Sequence, residues 1–330
     1  MKQKFAFLLI LACALPLHAA WHVARHIAIG GEGGWDYINA DAAARRLYVS
    51  HSDAVVVIDL NDHKVVGTIP AQGVHGIVTD DAMHRGFISN GRSSTVTIFD
   101  TQTLKPTAEV KATGDNPDSI LWDPATKHLF TFNGRGHNAT AYDADGKVLA
   151  TIALDAKPEE ARSDLAGHIF VNYEDKSEIA VLDANKFTVE KVWPIAPCEE
   201  PSGLAIDRAH HRLFAGCGNQ KMVAVDSESG KVVASAAVGR GVDGIAFDPE
   251  KGLIFVPNGF DGTVTVIRQV SPDEYTIAET VPTARGARTI TLDEKTHAIY
   301  LPTAKFGERK EGERRPPILP GSFEVLEVAP

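Results

Sequence analysis

Cysteine is scarce in this chain: three in 330 residues, with no CxxC pair among them. That excludes a thiolate zinc finger and a dithiol redox centre, and the lack of CxxCH excludes a covalently attached haem. Basic charge is in deficit, with 33 lysines and arginines against 43 acids and a formal net charge of −10. A sequence-independent grip on nucleic acid needs a basic footprint, so no nucleic-acid partner is expected. Beyond residue 20 no apolar run approaches the roughly 20 residues that a membrane-spanning helix requires. No GxSxG elbow marks a serine hydrolase. No long segment repeats its apolar residues with a 3.6 period, which leaves strands.

The first twenty residues read as a signal peptide. Lys2 and Lys4 make a basic start, FAFLLILACALPL an apolar run, and HAAW a small-residue exit with cleavage near Ala19 or Ala20. The expected mature protein is therefore periplasmic or secreted. A lipoprotein anchored through Cys13 is the less favoured reading: Leu11 is bulkier than a lipobox carries there, and apolar residues continue past the cysteine. Cleavage leaves Cys198 and Cys217, an even count in an oxidising compartment.

What the sequence has in quantity is self-similarity. Seven segments close on an aspartate: WDYINAD, VHGIVTD, PDSILWD, PEEARSD, PSGLAID, VDGIAFD and ARTITLD, ending at Asp41, Asp80, Asp123, Asp164, Asp207, Asp248 and Asp293. Successive anchors are 39 to 45 residues apart. Each unit continues with an apolar pair and an aromatic (RLYVS, HLFTF, RLFAG), an alternating run that often ends in Asp (VVVID, TVTIFD, IAVLD), a polar turn, and a fourth run such as KVVGTI. Valine, threonine and aromatics punctuated by Gly, Asn and Asp are strand-and-turn chemistry. Four strands at a period near 40 predict an all-β, seven-bladed β-propeller built from four-stranded antiparallel blades. The last unit stops after its third strand, at SFEVLEV, while an orphan strand HVARHIAI over 22–29 precedes the first. That N-terminal strand is expected to complete the last blade. The predicted organisation is a signal peptide over 1–20 and one domain over 21–330, with units near 30–71, 72–113, 114–155, 156–197, 198–239, 240–283 and 284–330, the last completed by 22–29.

LYVSHSDAVVVIDLNDHKVVGTI and FVPNGFDGTVTVI resemble the YVTN-type seven-bladed β-propeller repeat family of exported bacterial proteins. The resemblance covers essentially the whole mature chain and implies the fold. It implies no reaction, since the counterparts of the tetrapeptide (YVSH, FISN, FTFN, FVNY, FAGC, FVPN, YLPT) vary at their third and fourth positions.

In such a ring the second residue of each first strand is expected to point to the central channel. Those residues are Asp36, His75, Asp118, Glu159, Ser202, Asp243 and Arg288, and six of the seven are ionisable. Loops between the second and third strands add His51, Arg92 and Arg135 to the same face. Together they describe an acidic funnel suited to a small molecule or a protein partner. No cofactor is required by any motif; a divalent cation could be held by Asp36, His51, His75 and Asp118, since carboxylate and imidazole together suit a transition metal. The favoured reading is an extracytoplasmic, monomeric binding or interaction module that is not an enzyme. The alternative is a cation-assisted hydrolase or lactonase using the same funnel. Cys198 and Cys217 bracket adjacent strands of one blade at one rim, so a disulfide is expected. The insertion Pro302–Ser322 carries Lys305, Arg309, Lys310, Arg314 and Arg315 and is expected beside Arg288 as a lid or anion clamp.

Overall fold

A computed structural model describes residues 20–310, 312 and 316–330. The expected signal peptide and the arginines at 314 and 315 lie outside the described residues.

Seven antiparallel sheets of four strands follow one another around a ring. Blade two is typical, with strands Val74–Asp80, Arg85–Asn90, Thr95–Asp100 and Lys105–Lys111 paired in chain order from the axis outward. The last sheet departs from chain order. There, Thr291–Leu292, Ile299–Thr303 and Glu324–Ala329 are joined by His22–Ala28 as the outermost strand. His26 pairs with Leu326 and Ile27 with Val325, so the first described strand latches the ring as the sequence predicts.

The core is seven interfaces rather than one centre. Each hydrophobic cluster joins two neighbouring blades: Tyr48, Val55 and Val57 of the first meet Ile77, Ile88 and Phe99 of the second. At the closure, Leu47, Val49 and Ile58 meet Ile27, Tyr300 and Val325. Second and third strands are covered on both faces, which is why they read as unbroken apolar runs. Fourth strands rim the ring and are largely exposed, as in Lys105–Lys111.

The recurring aspartates are structural. Asp41, Asp80 and Asp207 accept backbone N–H groups two or three residues on, from Ala44, Met83 and Ala209. Such bonds stand in for turn backbone. The fourth residue after the anchor is left-handed in six blades, at Arg45, His84, Lys127, His211, Gly252 and His297. Most anchors also reach the next blade. Thr79 donates to Asp41 at 3.1 Å, the Trp122 indole to Asp80 at 2.6 Å, and Ser163 to Asp123 at 3.1 Å. Further round, Gln269 donates to Asp207, His297 meets Asp248, and Arg45 reaches Asp293. A repeated turn residue thus doubles as a brace between sheets.

Candidate functional site

The opposite end of the channel is where the predicted funnel residues lie. In blades two to five the pairing of the innermost strand slips just there, between Val74 and Ile77, Pro117 and Ile120, Pro158 and Ala161, and Pro201 and Gly203. A bulge breaks strict alternation and re-aims a side chain. Backbone pins hold such segments and the matching stretch of blade one. The Asp36 N–H donates to Ser50 Oγ at 2.7 Å, and the Gly76 N–H to Ser89 Oγ at 2.8 Å. Thr289 Oγ1 donates to the Asp36 carbonyl at 2.7 Å, tying the seventh blade to the first.

Three predicted residues from three blades converge. His75 Nδ1 contacts an Asp36 carboxylate oxygen directly and lies 3.5 Å from Asp118 Oδ1. One ligand atom from each of Asp36, His75 and Asp118 lies within 4.8 Å of the others. Their side chains are 23%, 27% and 16% exposed, so the group is desolvated yet reachable from the channel. The far edge of the imidazole rests on Gly91, where a Cβ would come within 2.4 Å of Nε2, so only glycine leaves room for the ring. Asn116 approaches Asp118 at 3.5 Å.

A second cluster continues round the mouth. Lys157 Nζ lies 2.6 Å from Glu159 and also contacts Glu174. Across the channel, Arg288 Nε donates to Asp243 at 2.7 Å while another of its nitrogens donates to the Trp35 carbonyl at 2.8 Å. The Arg288 guanidinium also sits over the Trp35 ring, 5.2 Å from its centroid. Ser202, the one neutral member of the predicted set, turns its hydroxyl to the Val242 carbonyl.

Five carboxylates therefore share three bases, and the proton affinities of Asp118, Glu159 and Asp243 show the crowding. Burial, then the charge of Asp36, pushes Asp118 well above the ordinary carboxylate range. Burial, then Asp118, does the same to Glu159 against the pull of Lys157. Burial raises Asp243 to about 6, Arg288 restraining it and Asp36 adding to the rise. For His75 burial works the other way, but the Asp36 hydrogen bond and the surrounding acids prevail and lift the imidazole to about 9. The Tyr37 phenol, also raised by burial and these acids, extends the site inward.

Other predicted residues are not brought to this group. His51 stacks flat on Phe323 at 4.1 Å, and burial lowers its proton affinity. It ends the strand Arg46–His51 and belongs to the packing of the ring closure, where a Cβ on Gly31 would meet its ring at 2.8 Å. Arg92 is exposed and paired with Asp53 at 3.0 Å. Arg135 is exposed on its loop. The asparagines that close several second strands are braces: Asn90 donates to Thr95 and Thr97, and Asn258 to Thr263 and Thr265. Lys157, Glu174 and Trp35 escaped the sequence reading. Lys157 sits just before the inner strand and Glu174 just after the second, each one position outside the repeating segments; only Lys157 carries a signal, as a base amid acids in AKPEE.

The insertion doubles back on itself. Phe306 bridges Ile318, Leu319 N–H donates to the Lys305 carbonyl at 2.9 Å, and the Phe306 ring packs 6.2 Å from Trp35. Its base is thus seated on the tryptophan that carries Arg288. In blade five the expected disulfide joins Cys198 and Cys217, with Cα atoms 5.4 Å apart.

No family model matches the chain, so the YVTN-type resemblance rests on the repeat residues alone. Among curated proteins it is similar to the uncharacterised protein YncE of Salmonella typhimurium, 21% identical over 242 residues, and to YncE of Salmonella typhi at the same identity. The match covers 73% of this chain and 57% of those proteins, so the chain spans little more than half the length of the curated relatives it matches. Among solved structures, the hydrazine synthase of Kuenenia stuttgartiensis superposes with a TM-score of 0.70 at 16% identity, covering 84% of this chain and 94% of that one. The RRP9 WD40 repeats give 0.77 at 9% identity over 92% and 97%. A chain of a mitotic checkpoint complex gives 0.75 at 13% identity over 91% and 95%. At such identities these likenesses show the fold alone.

Proposed function

We propose that the protein is an extracytoplasmic binding module that takes a positively charged group into the funnel. The supporting observation is the surplus of acid. Glu159 and Glu174 share Lys157, Asp36 and Asp118 share His75, and only Asp243 has a base, Arg288, to itself. A ligand cation supplies the missing counter-charge, and partial burial makes the attraction stronger than it is in bulk water. The charged groups stand on or beside inner strands braced from neighbouring blades, so little ordering is left to oppose binding. The disulfide fits an oxidising compartment outside the cytoplasm. Among the described residues no helix is long and apolar enough to cross a membrane.

Calorimetric titration with 1,4-diaminobutane, and with succinate as its anionic counterpart, tests the reading. The diamine is expected to bind with Kd below about 1 mM, more weakly as salt rises, and several-fold more weakly to Glu159→Gln. Succinate is expected to give no heat. Equal binding of the two, or none by either, would remove the cationic ligand from consideration.

A further inference from the structure

We propose that Asp36, His75 and Asp118 form a binding site for one divalent first-row transition ion, of which zinc is the convenient probe. The inference rests on the cationic-ligand reading and gives that cation a chemical class.

The donor set and its spacing carry the argument. Two carboxylate oxygens and one imidazole nitrogen suit manganese through zinc; calcium and magnesium prefer all-oxygen shells, and copper(I) prefers sulfur. Donors about 2.1 Å from a tetrahedral ion stand roughly 3.4 Å from one another. His75 Nδ1 and Asp118 Oδ1 are 3.5 Å apart, and all three donor atoms fall within 4.8 Å. The proton that joins His75 Nδ1 to Asp36 would leave and those two donors would part to admit the ion, with Asp118 closing on it from the other side.

The surroundings hold the donors rather than cover them. The three residues come from three blades, so the ring itself fixes their separation. Ser50 and Ser89 pin the backbone at Asp36 and beside His75. Gly91 confines the imidazole from its Nε2 edge, leaving Nδ1 facing the two carboxylates. Three protein donors leave the remaining positions of the ion open to the funnel, where water or a ligand's own donor would complete the shell. The rival account is a purely internal triad, in which a proton on His75 joins the two acids and no metal enters.

Chelator-treated, untagged protein titrated with Zn²⁺ separates the two. One ion per chain is expected, with Kd on the order of 10 μM or tighter. His75→Ala and Asp118→Asn should each weaken it at least tenfold, while Asp53→Asn, an exposed acid of the rim, should change it by less than about threefold. Asp118→Asn keeps the side-chain shape, and circular dichroism confirms that both variants are folded. Co²⁺ should give visible d–d absorption that His75→Ala abolishes. Zinc affinity unchanged in both variants would put the ion elsewhere and overturn the site. Binding of 1,4-diaminobutane by a protein that takes up no zinc would also overturn it while leaving the cationic funnel standing, and failure of both ligands would take down both readings.

Discussion

Glu159 shows how the funnel spends stability on charge. It lies 2.6 Å from Lys157, yet burial and Asp118 raise its proton affinity in the fold. Near pH 4 the carboxyl is protonated in folded and unfolded chains alike and has no effect. As pH rises, the unfolded chain releases the proton first, so folding is progressively disfavoured until the folded group also ionises. Glu159→Gln is therefore expected to be more stable than the parent at pH 8 by on the order of 1 kcal/mol, roughly 2 °C in Tm, and equal to it near pH 4. Thermal melts across that range check this. A variant less stable at pH 8 would mean that the ion pair with Lys157 outweighs burial. Sequence alone could assign these acids to one mouth. It could not reveal that His75 is shared by two of them while His51 packs on Phe323, because both histidines stand at rim positions and only side-chain packing separates them.

At the scale of the element, each blade's strands were readable from alternation and turn chemistry. The slips in the inner strands were not: a bulge leaves no composition mark when the extra residue is an ordinary one. Blade five adds a covalent tie at its rim. Cys198 and Cys217 are both buried and 19 residues apart, and the bridge ties the loop entering the first strand to the end of the second. Cys198→Ala/Cys217→Ala is expected to lose about 3 kcal/mol, read as a lower guanidinium midpoint. The parent in reductant should move the same way. An unchanged midpoint would show that the packing around the sulfurs carries that rim unaided. The insertion illustrates the opposite limit. Its length and basic residues stand out in the sequence, but its attachment through Phe306 to Trp35 depends on a contact 271 residues distant in the chain.

For the molecule as a whole, closure is the decisive event. Each blade buries its faces only against neighbours, so an open ring would leave two sheets half-bare. A chain beginning at Gly30 lacks the strand His22–Ala28 and with it Ile27, Arg25 and the partners of Val325 and Leu326. It is expected to lose its single cooperative melt or to unfold at least 10 °C lower; an unchanged melt would show that closure rests on the inner strands instead. The blade count, the strand order and the latch were set by the sequence itself, because a repeat period and alternating apolar residues are local properties. The sharing of acids and bases at the mouth was decided by tertiary structure alone. Residues about 40 apart in the chain meet only once neighbouring blades have packed, Arg288 meets Trp35 only once the ring has closed, and which carboxylate reaches which base depends on bulges, pins and burial that no spacing records.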